Sequence, residues 1–297
     1  MSLRLLERSI APRRPDGAQY RRNPRQRYNL GLQGTESRMS ELISIPFRFR
    51  GPPNSGNGGY VGGAIAELFD AATRAAAAIE VTLRAPIPLD TPMAVTRGSA
   101  RAVAVYHGAT LIAEAAAAEL TLEIPDPPGF AAARAAEPTS PAFLRNVNPF
   151  LPDGTGFHPV CACCGVDTLE GEGLRVHAAA VPGFAGVAAA WRPHRALGSG
   201  AAASAEPEAG GELPLSIIWT ALDCPGQFAY YVDGIRTGLL GRMTARVIRP
   251  IYADRELVVI GWREHIEGRK HFAGTALFDE RGELCAYARQ TWIGRMD

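Results

Sequence analysis

The stretch that most constrains this fold is Leu213 to Tyr231, LPLSIIWTALDCPGQFAYY, an apolar run carrying one carboxylate, Asp223. At helical spacing Ile217, Ile218, Trp219, Leu222, Phe228 and Ala229 leave almost no polar face, so the segment reads as a helix enclosed by protein. Another part of the chain must wrap it. The runs that follow, LLGRMTARVIRP, ELVVIGWREHI, KHFAGTALFDE and ELCAYARQTWIG, are rich in strand formers and are separated by short turns such as Asp279 to Gly282. This predicts an α+β architecture in which one helix is rolled inside a curved antiparallel sheet.

The first half repeats the order of elements. Ile43 to Arg50 reads as a strand, GPPNSGNGGYVGG as a glycine-dense turn, and Ala64 to Ala78 as an apolar helix of strong helix formers. That helix bears Asp70, whose setting resembles that of Asp223. Strand-like runs follow: AIEVTLRAPIP, PMAVTRGSARAVAVYHG and ATLIAEAAAAELTLEIP. Residues 125–152 hold seven prolines, Pro125 and Pro152 at the ends among them, and read as a linker over the surface. In the second half, strands are expected near Gly173 to Val181 and Phe184 to Trp191, then a flexible loop over Gly198 to Gly211. The expected organisation is a basic tail over 1–38, one module over 39–124, the linker, and a second module over 153–297. Paired by their sheet edges, the modules would form one pseudo-symmetric sheet and hide two exposed strands.

A length of 297 residues suits two cores of moderate size. No window reaches the roughly 18 uninterrupted apolar residues of a membrane helix, so a membrane span is not expected. Residues 1–38 carry nine arginines against Glu7, Asp16 and Glu36, yet lack apolar residues for a core. They read as a solvated tail, or as an upstream extension before Met39, rather than as a nucleic-acid arm. Five cysteines with no secretory leader point to a reducing cytoplasm and away from a disulfide framework.

Three places resemble the hotdog-fold acyl-CoA thioesterases in tandem form. Gly62-Gly63 with Asp70 seven residues on is similar to the glycine pair and aspartate of the phenylacetate-pathway thioesterases, although Val61 stands where their histidine precedes the glycines. Cys161, Cys164 and Gly165 followed by Gly171 to Val176 resemble the opening strand of many single hotdog domains. Gly282 to Arg295 is similar to the end of the acyl-CoA thioesterase II family. The resemblance implies two hotdog modules and thioester hydrolysis without a metal or cofactor. It places the family's helix aspartate on Asp223 and its last-strand glutamine on Gln290. Its threonine falls near Glu264 by turn spacing, with Thr244 one strand earlier.

Thioester hydrolysis needs an activated water and donors aimed at the developing oxyanion. Asp223 is the candidate base, because burial raises a carboxyl pKa, and Gln290, Thr244 and Asp70 are further catalytic candidates. Gly58, Gly59, Gly62 and Gly63 would allow close approach of a ligand, and Arg242 and Lys270, with Arg246 and Arg269, would meet the phosphates of CoA. Each has a plainer structural reading: Asp-Cys-Pro-Gly as a helix end, Asp70 on a wetter face, the glycines as turn geometry, the cations as solvated strand charges. Cys161 and Cys164 beside His158 give one ligand pair where a structural zinc wants four, so buried structural thiols are expected. The expected partners are an acyl-CoA and further copies of the chain. The competing reading is a hotdog protein that binds or scaffolds acyl groups without turning them over.

Overall fold

The structure is a computed structural model describing residues 41–98, 102–144, 158–199 and 210–294. The expectations for the tail 1–38, for most of the loop 198–211 and for the end of the linker lie outside the described residues.

Runs of Val, Ile, Leu and Ala form eleven strands among these residues: β1 (Leu42–Ile43), β2 (Ala78–Leu83), β3 (Met93–Arg97), β4 (Ala102–His107), β5 (Thr110–Ala118), β6 (Ala179–Ala180), β7 (Val187–Trp191), β8 (Leu239–Val247), β9 (Leu257–Glu267), β10 (Lys270–Phe278) and β11 (Leu284–Ile293). They make one sheet in the order β1-β3-β4-β5-β2-β8-β11-β10-β9-β7-β6, antiparallel throughout. Both edge strands are only two residues long, which limits the unpaired backbone offered to another chain. The expected strand over the alanine-rich run Ala109 to Ala118 forms as β5, held between β4 and β2, although alanine favours helix. Tertiary pairing overrides propensity there.

Four α-helices are described: α1 (Gly58–Ala66), α2 (Ala71–Ala76), α3 (Phe130–Ala136) and α4 (Leu215–Tyr231). The enclosed helix is α4, buried at every residue from Ser216 to Tyr230. The first half departs from expectation. In place of one helix over Ala64 to Ala78, α1 starts at Gly58, where the Asn57 side chain accepts from Tyr60 N at 2.9 Å and caps it. It ends at Ala66, and Asp70 caps the separate α2. The glycine-dense segment is therefore helix as well as turn. Its glycines are poor helix formers, and a close approach to α4 accounts for them, as described below.

Three further expectations are corrected. Ile43 to Arg50 is a two-residue strand followed by a 3-10 turn at Phe47–Phe49. Of the expected strand Gly173 to Val181 only β6 forms; from Cys161 to Ala178 the backbone is irregular, buried at Cys161 to Gly165 and again at Val176 to Ala178. Buried backbone amides in it find partners outside any ladder, as in Ala162 N to Arg50 O at 2.7 Å and Val176 N to Cys163 O at 2.8 Å. The proline-rich stretch is not only a surface connection. Its Ala-rich centre forms α3, whose Ala133 and Ala136 cover the outer side of the sheet over Ala188, Val258, Ile260 and Trp262. The first half of β9, Leu257 to Trp262, is thus buried on both faces, with Leu257 and Val259 turned to the main core.

Candidate functional site

Pro225 lies inside α4 without ending it. Proline removes one amide donor and crowds the preceding turn, so neighbouring carbonyls need other partners. The carbonyl that loses its helical donor is that of Ala221, and Gln290 on β11 holds the next two: its Nε2 donates to Leu222 O at 2.5 Å and to Asp223 O at 3.0 Å, and its Oε1 accepts from Trp292 Nε1 at 2.8 Å. The helix must lie very close to the sheet for this. A Cβ on Gly226 would fall 1.9 Å from Gln290 Oε1, and one on Gly261 of β9 would fall 2.3 Å from Pro225 O. The Asp-Cys-Pro-Gly run is therefore the interior of a helix, fastened where a helix end was one plain reading.

This fastening fixes Asp223, only 3% exposed, against the start of α1. Its Oδ2 accepts from Asn57 Nδ2 at 2.6 Å and from Gly59 N at 3.2 Å, so the capping residue and a first-turn amide of one helix hold the acid of the other. The other oxygen, Oδ1, is buried with no hydrogen-bond partner among the described residues. Burial pushes the carboxyl up to about 7, with a smaller upward contribution from Cys161, against the lowering effect of Gly59 and Asn57.

Asp223 lines a cleft of about 720 Å³. Leu83, Ile87, Leu239, Leu240, Trp292 and Ile293 give it apolar walls, and Arg84 is the only Arg or Lys among its described lining residues. Gln227, one turn after Asp223, also faces it; both amide hydrogens are engaged, with Nε2 donating to Thr237 Oγ1 at 2.8 Å and Gly238 O at 2.9 Å. Cys161 and Cys224 complete the wall beside the acid, and with Cys164 they bring three sulfurs within 4.8 Å of one another.

No family model and no curated protein matches the sequence. Solved structures do. A protein of unknown function from Alicyclobacillus acidocaldarius, described as having the hot dog fold, matches at 11% identity over 86% of this chain and 93% of its own, with a TM-score of 0.51. This is the hotdog fold. A provisionally named thioesterase of Novosphingobium aromaticivorans matches at 12% identity over 86% of this chain and 95% of its own, with a TM-score of 0.51. An acyl-CoA thioesterase II of Mycobacterium marinum matches at 14% identity over 86% and 93%, with a TM-score of 0.48. The expected resemblance to hotdog-fold thioesterases is thus found in the structures as well.

Within the hotdog frame the expected site residues separate. Asp223 and Gln290 meet at α4, but Gln290 is fully buried with its amide committed to helix carbonyls, and it does not line the cleft. It holds the backbone of α4 at Leu222 and Asp223, and both its amide hydrogens are taken. Thr244 lies on the outer face of the sheet: its neighbours Met243 and Ala245 pack into the core, and its Oγ1 donates to Glu80 Oε2 at 3.1 Å. Arg242 shares that outer face, with Nε donating to Thr82 Oγ1 at 2.9 Å. Asp70 is exposed, and its two oxygens accept from Thr73 N at 2.8 Å and Thr73 Oγ1 at 2.7 Å, bonds that hold its carboxyl below the usual range. It does not share the setting of Asp223.

Three of the four expected ligand-contact glycines serve helix packing. A Cβ would fall 2.4 Å from Trp219 O at Gly59, 2.7 Å from Trp219 Cε3 at Gly62 and 2.5 Å from Leu215 O at Gly63. Gly58 alone of the four lines the cleft. Lys270 sits exposed beside Glu267 in the β9–β10 hairpin, Arg269 Nε donates to Gly294 O at 3.0 Å, and Arg246 lines a different cleft. Asn57, Gln227, Arg84 and Cys224 were missed. Only Asn57 had a readable signal, as a helix-capping residue type before a glycine pair.

Proposed function

We propose that the protein is a thioester hydrolase acting on acyl-CoA, with Asp223 as general base. A carboxylate held by one oxygen and bare at the other, on the wall of a largely apolar cleft, carries this reading. The acyl chain would lie along Leu83, Ile87, Leu240 and Trp292, and Arg84 would meet a phosphate at the mouth. Asp223 takes a proton from a water as that water attacks the thioester carbonyl; the tetrahedral intermediate expels the thiolate, which leaves as the thiol once protonated. Gly58 lines the cleft in the first turn of α1, where amides lack intrahelical acceptors, and its N–H is the candidate oxyanion donor. Release of free thiol from short, medium, long and aryl acyl-CoAs tests this. Binding of acyl-CoA without release from any of them would overturn hydrolysis and favour an acyl-binding protein.

We also infer that 39–124 and 153–297 are two hotdog modules joined at β2 and β8. Reading outward from that pair, each side continues with the last strand of its meander and ends in its short edge strand; β8 directly follows the core helix α4, and β2 follows the core helix α1 with the short, unburied α2 between. Each of those helices takes a carboxylate of the other on a first-turn amide: Asp223 on Gly59 N, and Glu67 on Ser216 N at 3.0 Å. Halves expressed as two chains, divided within 145–157, should copurify; halves that fold apart and do not associate would refute the arrangement.

A further inference from the structure

We propose that Cys161, Cys164 and Cys224 form a zinc site beside the cleft. The three Sγ atoms lie within 4.8 Å of one another, with Cys161 and Cys224 at 3.7 Å. A tetrahedral zinc with Zn–S bonds of about 2.3 Å sets its sulfurs roughly 3.8 Å apart, so the Cys161–Cys224 spacing already suits the ion and Cys164 lies within about an ångström of doing so. The same spacing is far beyond the ~2.05 Å of a disulfide. Soft thiolates in a closed, nearly dry setting select zinc over the hard cations that prefer oxygen.

The local chain is shaped for this convergence. Cys161 and Cys164 sit on one tight loop in which Gly165 N donates to Cys161 O at 2.8 Å. A Cβ on Gly165 would fall 2.5 Å from Cys161 O and 2.7 Å from Cys161 N, so the loop folds back on itself only with glycine there. The third sulfur comes from α4, sixty residues on from Cys164, next to the Leu222 and Asp223 carbonyls that Gln290 holds. Asn57 Nδ2 lies 3.7 Å from Cys161 Sγ while donating to Asp223, and so reaches from the sulfur group to the acid. Cys161 and Cys224 both line the cleft, so the site borders it. Binding displaces the thiol protons to solvent and leaves three thiolates around a dication. Cys163 and Cys285 are buried too, yet stand outside the three-sulfur group.

The zinc site does not depend on thioester hydrolysis, and its test reads metal rather than turnover. The full chain, purified under reductant without chelator, should retain about one zinc, and cobalt loaded in its place should give thiolate-to-metal charge transfer with the visible bands of a tetrahedral ion. Cys164→Ser and Cys224→Ser should each lower zinc to below about a tenth of the wild-type content, with Cys285→Ser unchanged. Should either serine variant fail to fold, the wild-type cobalt spectrum and its displacement by zinc decide alone. Wild type that takes up neither metal, or that carries a Cys161–Cys164 disulfide after purification under reductant, overturns the proposal.

Discussion

Two carboxylates in this protein make the same contact in opposite surroundings. Asp223 of α4 accepts the amide of Gly59 at the start of α1, and Glu67 at the end of α1 accepts the amide of Ser216 at the start of α4. Asp223 sits mid-way along a seventeen-residue helix buried on every side, while Glu67 is an exposed cap on a helix of nine. Asn57 caps the amides beside Asp223 with its side chain; Pro214, its counterpart before α4, has none to offer. The clefts differ as well. Glu67 opens on a space of about 690 Å³ lined by Arg74, Arg246 and Arg249, whereas the walls around Asp223 are mainly apolar. A helix terminus meeting an acid is therefore a packing device in this fold, and burial is what turns one of the two acids into a candidate base.

The largest expected effect separates them directly. Asp223→Asn keeps the shape and removes the base, so thiol release from acyl-CoA should fall about 10²- to 10⁴-fold, while Glu67→Gln should change it by less than about twofold. Equal losses in both variants would break the comparison. Next comes Gly59→Ala. Its methyl would meet Trp219 O and Asp223 Cβ, both on a helix that the sheet holds in place, so urea unfolding should show a loss of about 3 kcal/mol. Ser216→Ala at the matching turn of α4 only removes atoms, and should cost at most about 1 kcal/mol. A smaller loss at Gly59 than at Ser216 would mean that the two helices are not in register.

Asn57→Ala should fall between these, at about 1–2 kcal/mol for the lost cap. It should also slow thiol release, because Asp223 loses its 2.6 Å donor. Asn57→Ser, which restores a cap but cannot reach as far, should recover stability and leave the rate low. Recovery of both together would assign Asn57 to capping alone.

How much of this was legible in the sequence depended on distance along the chain. The buried helix, its lone acid and the meander after it follow from periodicity, which is local. That Gln290 points inward was also readable, but the carbonyls it serves depend on how closely α4 lies on β11. Thr244 was misplaced although the information was present: Met243 and Ala245 flank it, and alternation along a strand sends their neighbour to the other face. The helical start at Gly58 was hidden because glycine density reads as a turn, and only the nearness of Trp219 and Leu215 explains it. The third sulfur was unreadable in principle, since nothing local ties Cys224 to a loop sixty residues earlier.

The smallest effect is the most diagnostic of what burial contributes. Glu67 is exposed and meets the positive end of α4, an arrangement worth about 0.3–1 kcal/mol at low ionic strength and less as salt screens it. Glu67→Gln should therefore lower stability by that amount in dilute buffer, and the deficit should shrink in about 1 M salt, where charges more than ~3 Å apart are screened. The contact of Asp223 with Gly59 lies where salt does not reach, so the stability change of Asp223→Asn should hardly respond to the same addition. If both variants proved equally sensitive to salt, then Asp223 would have to be open to bulk solvent in solution, and the difference between the two acids would be one of position only.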